Sequence, residues 1–160
     1  MPKDQYPVTP AIRALRAKQV SFVPHLYDYE EHGGTHHAAT ELQIPEHAVI
    51  KTLIMQTDER KPLVILMHGD REVSTKQLAR VINVKQVTPV DPALANKLTG
   101  YQVGGISPLG TRSTLAVYAE ATIMQLERLY INGGKRGFLI EITPDGLKAA
   151  LEIQEVSVAL

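Results

Sequence analysis

Two apolar runs set close together constrain this chain more than any other feature. Ala48 to Gln56 reads Ala-Val-Ile-Lys-Thr-Leu-Ile-Met-Gln, and Lys61 to His68 carries Pro-Leu-Val-Ile-Leu-Met at its centre. Both have the length and β-branched content of buried strands. Only Thr57-Asp58-Glu59-Arg60 lies between them. That is a hairpin turn, because a parallel crossover needs a dozen residues or more. An antiparallel pair is therefore expected, with further elements laid around it.

Helical and strand patterns alternate irregularly along the rest. Thr9-Pro10 opens a helix through Ala17, with Ile12 and Leu15 inward. Ser21 to Tyr29 predicts a strand, broken by Gly33-Gly34. Thr35 is expected to cap a short helix through Leu42, which Ile44-Pro45 ends. Ser74 to Ile82 predicts a helix with Leu78 and Val81 inward, and Asp91 caps another over Pro92 to Leu98. Further strands are expected at Thr114 to Tyr118, Leu129 to Ile131 and Phe138 to Ile142, then a helix over Leu147 to Leu151 capped by Thr143-Pro144-Asp145. These spacings predict an α+β fold: one domain over residues 1–160, with a mixed, largely antiparallel, barrel-like sheet and flanking helices.

Charge narrows the partners. Seventeen basic residues balance seventeen acidic ones, so no global field draws in nucleic acid or an anionic membrane, and any RNA contact must be local. The lack of cysteine excludes disulfides, thiolate-bound metals and a cysteine nucleophile. Met1-Pro2-Lys3-Asp4-Gln5 contains no apolar leader, and no apolar run reaches membrane-spanning length. A cytoplasmic protein with no membrane partner is expected.

Four features could carry chemistry. The stretch Gly100-Tyr-Gln-Val-Gly-Gly-Ile-Ser-Pro-Leu-Gly110 holds four of eleven glycines. Gly104-Gly105 bares the backbone and Pro108 stiffens the far end of the loop, which suits a ligand held by main-chain groups. A tight turn between strands is the plainer alternative. Lys51 sits mid-strand among apolar residues. Facing Val49, Leu53 and Met55 it needs a carboxylate, a carbonyl or an anionic ligand; facing outward it is a solvated lysine. Ser107 fails as a nucleophile elbow, since Leu109 stands where Gly-x-Ser-x-Gly needs glycine, and Pro108 has no N–H for an oxyanion hole. Asn132-Gly133-Gly134-Lys135-Arg136-Gly137 lacks the spacing of a phosphate loop, yet two glycines beside two cations could hold one phosphate, or form a solvated hairpin tip. His32, His36 and His37 cluster around Gly33-Gly34 without a His-Glu-x-x-His pattern, so no metal is expected.

Val49-Ile-Lys-Thr-Leu53, then Thr99-Gly-Tyr-Gln-Val-Gly-Gly-Ile-Ser-Pro-Leu-Gly110, then Asn132-Gly-Gly-Lys-Arg-Gly137 together resemble the YbaK/EbsC family of bacterial aminoacyl-tRNA deacylases, related to the editing domain of prolyl-tRNA synthetase. The stretch from Ser21-Phe22 to His25-Leu26-Tyr27 also fits, so the resemblance spans nearly the whole chain. It implies hydrolysis of the ester joining a wrong amino acid to tRNA, most often cysteine on proline tRNA, with no cofactor. It implies a catalytic set of Lys51, Gly104, Gly105, Ile106, Ser107 and Pro108, the loop acting through its main chain. It implies substrate contacts from Tyr27, His25, Asn132, Gly133, Gly134 and Arg136. The partners implied are the acceptor end of tRNA(Pro) and prolyl-tRNA synthetase. Asn132, where cysteine-specific members have serine, and Leu139, where an acidic residue is expected, leave specificity open between cysteine and a residue such as alanine. A non-catalytic module binding a nucleotide or amino acid is the alternative of another class.

Overall fold

The structure is a computed structural model, described over residues 5–160. Met1–Asp4, on which the expectation about a leader partly rests, lie outside the described residues.

The expected hairpin is the centre of the sheet. Strand β2 (Val49–Thr57) pairs antiparallel with β3 (Pro62–His68), and Thr57 N donates to Lys61 O at 3.0 Å across the turn. β3 is buried on both faces, which explains its unbroken apolar run. Around this pair stand β1 (Val23–Leu26), β4 (Val87–Pro89), β5 (Ala116–Glu120), β6 (Leu129–Lys135), β7 (Phe138–Ile142) and β8 (Ile153–Val156). The order is β1-β7-β6-β2-β3-β5-β8, with β4 beside β2.

The sheet is mixed and largely antiparallel, as expected, but it also contains parallel pairings that the short loops do not reveal. β2 with β6, β3 with β5 and β5 with β8 are parallel ladders. Each joins strands far apart in the sequence, with helices and other strands between them, so short-loop reasoning could not find them.

Helices cover both faces. On one, α1 (Pro10–Ala17) and α5 (Pro144–Ala150) bury Ile12, Leu15 and Leu147 against Ile50, Ile54, Ile131 and Ile140. On the other, α3 (Thr75–Val81) packs Leu78 and Ala79 on Met55, Ile65 and Met67. The helix α2 (Gly34–Leu42) sets Ala38 and Ala39 against Val49 and Leu139. The last helix, α4 (Pro92–Thr99), starts at the Asp91 cap, whose carboxylate accepts from Leu94 N at 2.8 Å.

Several local expectations are corrected. β1 is four residues long, because its partner β7 begins at Phe138, opposite Leu26, and Tyr27 to Tyr29 leave the sheet. Val81 is 46% exposed; the inward residues of α3 are Leu78 and Ala79, with Ile82 one turn beyond Leu78. Thr35 is no cap: it lies inside the first turn of α2, and its hydroxyl donates to Glu46 Oε2 at 2.9 Å. Asn132–Lys135 is strand with a bulge, so the turn reduces to Arg136-Gly137. β4 and β8 carry no sequence signal strong enough to mark them.

His68 ends β3 at 1% exposure, stacked on His47 with ring centroids 3.7 Å apart. Its Nδ1 donates to His47 O at 2.7 Å, and its Nε2 accepts from the Thr122 hydroxyl at 2.7 Å. Burial holds the imidazole below its ordinary value of 6.5, against the opposing pull of the His47 carbonyl. The unfolded chain therefore binds this proton at a higher pH than the folded one. The group's contribution is intact above pH 6.5 and is lost as pH falls from there toward the folded value. Chemical denaturation between pH 7.5 and 5 should show stability falling by at most ~1.4 kcal/mol per pH unit from this site. His68→Asn should flatten that part of the slope; an unchanged slope would remove His68 as its source.

Candidate active site

The site grows from a gap in the sheet. β6 runs beside β2 only at Val49 and Ile50, and β4 only from Met55 to Thr57. Between them no described strand flanks Lys51–Ile54 on the side away from β3. Thr57 N bonds Lys61 O and Ile54 O accepts from Val90 N at 3.2 Å, so odd-numbered residues of β2 turn their main chain to β3 and even-numbered ones away. The N–H and C=O of Thr52 thus face the gap. Its hydroxyl is buried there without a hydrogen-bond partner.

A cavity of about 690 Å³ opens at this gap. Its walls are mostly apolar, with Leu53, Met55, Val90, Ile106 and Leu139 among them. Lys51 supplies the one lysine or arginine among the described lining residues. The sequence left its direction open; the side chain lies along the cavity at 19% exposure, its ammonium donating to Arg71 O at 2.5 Å and standing 3.4 Å from Glu72 Oε1. Two of three N–H directions are engaged, leaving one for a ligand.

The glycine loop forms the opposite wall. Gly104 takes φ +93°, the left-handed region glycine tolerates, and a Cβ there would collide with Tyr29 Oη. Gly105 lies so close to the β6–β7 turn that a Cβ would stand 2.7 Å from Arg136 N. Asn132 joins the two motifs: its Nδ2 donates to Gly104 O at 3.1 Å, while its Oδ1 accepts from Gly134 N at 2.7 Å and Lys135 N at 3.1 Å. Behind the loop, Tyr101 donates to Leu109 O at 2.7 Å, and burial pushes its phenol up to about 12.

The expected residues divide. Lys51, Gly104, Ile106, Tyr27 and Asn132 line the cavity. Tyr27 is a neutral phenol, its pKa raised by burial and by Tyr29 nearby. Ser107 and Pro108 do not line it: Ser107 is fully buried, its hydroxyl accepting from Leu109 N at 3.1 Å, and it shapes the loop. Gly105, Gly133 and Gly134 lie behind the wall, where Thr9 Oγ1 donates to Gly133 O at 2.5 Å. Arg136 sits outside, donating to Val103 O at 2.9 Å with its guanidinium 5.2 Å from the centre of the Tyr29 ring. His25 is not brought to the cavity: Glu141 Oε1 holds it at 2.8 Å, and Tyr130 lies edge-on to it.

Sequence reasoning missed Tyr29, Glu30, His37, Thr52 and Glu72, all of which line the cavity. Thr52 had a signal, a hydroxyl beside Lys51 in an otherwise apolar strand, and His37 stood in the histidine cluster considered only for a metal. Among the described residues no three His, Asp or Glu side chains converge as a metal site. No helix among them is long and apolar enough to cross a membrane.

The site is thus a mostly apolar chamber with Lys51 on one side and the glycine loop on the other. The chain belongs to the aminoacyl-tRNA editing domain family, whose model matches residues 31–150. It is 27% identical over 140 residues to EbsC of Enterococcus faecalis, provisionally named a Cys-tRNA(Pro)/Cys-tRNA(Cys) deacylase, covering 87% of this chain and 85% of that one. It is 26% identical over 105 residues, 65% of this chain, to the proline–tRNA ligase of Listeria monocytogenes, and spans 18% of the ligase's length. A crystal structure provisionally titled a trans-editing enzyme for prolyl tRNA synthetase superposes with a TM-score of 0.82 at 19% identity, covering 94% of this chain and 95% of that one. The expected YbaK/EbsC kinship and the aminoacyl-tRNA deacylase class are borne out.

Proposed function

We propose that this protein clears cysteine from cysteinyl-tRNA(Pro), working in the cytoplasm beside prolyl-tRNA synthetase. The observation that carries the reading is the pairing of Lys51 with the Gly104 wall across a cavity whose lining offers no serine or cysteine. The named relatives support the substrate.

In this reading the aminoacyl ester lies along the gap beside β2, between β6 and β4, its carbonyl toward the Lys51 ammonium. Gly104 and Ile106 bound the acyl side chain, and Asn132 fixes the loop against it. Tyr27, kept neutral, offers a hydrogen bond from its phenol to a substrate oxygen. The thiol of the misplaced cysteine gives its proton to solvent, and its sulfur adds to the ester carbonyl carbon. The oxyanion that forms is stabilised by Lys51. Collapse breaks the carbon–oxygen bond to the ribose, whose oxygen takes up a proton, and releases the amino acid as a cyclic thioester. Every contribution from the protein is positioning and charge.

The test is deacylation of cysteinyl-, alanyl- and prolyl-tRNA(Pro) by the purified protein. Loss of cysteine with proline spared is expected. Loss of alanine alone would keep the reaction and overturn the cysteine assignment; loss of none would leave a binding module.

Thr52 gives an independent check. Thr52→Val removes a buried hydroxyl with no partner in the fold, so stability should hold or rise by ~1 kcal/mol. If that hydroxyl serves the substrate, kcat/KM should fall about 10-fold. Unchanged kinetics would exclude it.

A further inference from the structure

We propose that the segment Val158–Leu160, pinned by Glu120 and Arg71, is a positioning device for Lys51. The proposal rests on the deacylase reading for its catalytic consequence, though not for the clamp itself.

Lys51 is held by the main-chain carbonyl of an exposed loop residue, Arg71, at 2.5 Å. That loop is stitched along its other side to the segment after β8. Ser74 N donates to Val158 O at 2.8 Å, Val73 bridges Ala159, and Leu160 N donates to Glu72 O at 2.8 Å. Arg71 Nε closes the set by donating to Leu160 O at 2.7 Å. The segment is itself anchored in the core. Glu120, 4% exposed at the end of β5, receives Val158 N at 2.7 Å and Ala159 N at 3.1 Å on one carboxylate oxygen. Buried carboxylates are retained where their hydrogen bonds are met, and this one spends them on 158–159. The line of contacts therefore runs from β5 through Glu120 to the segment, across to the loop, and onto the Lys51 ammonium. A cation that must meet a developing charge tolerates little displacement, so the site of its carbonyl acceptor matters.

Arg71 is the joint to test, because its side chain is exposed and its carbonyl survives substitution. The first readout is acetylation of Lys51 by acetic anhydride, followed by peptide mass spectrometry, with exposed Lys61 as internal reference. In Arg71→Ala the Lys51/Lys61 rate ratio should rise at least 3-fold, and Arg71→Lys, which restores one donor, should bring it most of the way back. The second readout is deacylation: kcat should drop about 10-fold in Arg71→Ala with KM and Tm nearly unchanged, and recover in Arg71→Lys. An unchanged labelling ratio overturns the clamp. A raised ratio with unchanged kcat in an active enzyme overturns its role in positioning. A wild-type protein inactive on every tRNA would overturn the deacylase reading and the catalytic role together, while the labelling ratio would still decide the clamp.

Discussion

Lys51→Ala is expected to lower kcat/KM for deacylation by about 10²–10³-fold, the loss typical of removing one preorganised donor from a developing oxyanion. The size follows from isolation: no other lysine or arginine among the described lining residues can substitute. The fold should survive, since the side chain gives up one hydrogen bond to a carbonyl and one weak contact with an exposed carboxylate, worth about 1 kcal/mol together. Lys51→Arg should recover little, because a planar guanidinium cannot place its charge where a compact ammonium sits between Arg71 O and the cavity. Single-turnover kinetics with a matched Tm decide it. Activity within threefold of wild type in Lys51→Ala would remove the residue from the mechanism.

Gly105→Ala should be nearly as damaging for a steric reason. The added methyl would stand 2.7 Å from Arg136 N and 2.8 Å from Lys135 C, both backbone atoms of the β6–β7 turn that cannot swing aside. The glycine loop must lift, stretching the Asn132 bond to Gly104 O. Overpacking of this kind costs about 1–3 kcal/mol of stability. A wall displaced by a fraction of an ångström to an ångström costs up to ~10²-fold in turnover. Denaturant unfolding and deacylation rates measured on the same preparation check both. A variant of wild-type stability and rate would show that the approach of loop and turn is not needed.

Sequence reasoning reached the features that local chemistry writes into a chain. Lys51 stood out because a cation inside an apolar strand must answer for its burial, and the glycine loop because composition alone bares its backbone. Helix caps at Thr9, Ser74, Asp91 and Thr143 were legible for the same reason. The failures lie where only tertiary assembly decides. Glu72 reaches the cavity from a segment with no pattern of its own, and Tyr29 from beyond the true end of β1, where strand was expected. His25 and Tyr27, two residues apart, part company because the chain leaves the sheet between Leu26 and Tyr27. The parallel ladders needed knowledge of where long connections return.

The interrupted pairing beside Thr52 ties the stability of this fold to its usefulness. If β6 ran on alongside β2 as far as β4, the main-chain N–H and C=O of Thr52 would join a ladder, and the sheet would be stronger for it. The same change would fill the chamber with backbone. Selection for a more robust protein and selection for a working one therefore pull in opposite directions at this one residue, and substitutions that stabilise the chain here should be the ones that disarm it.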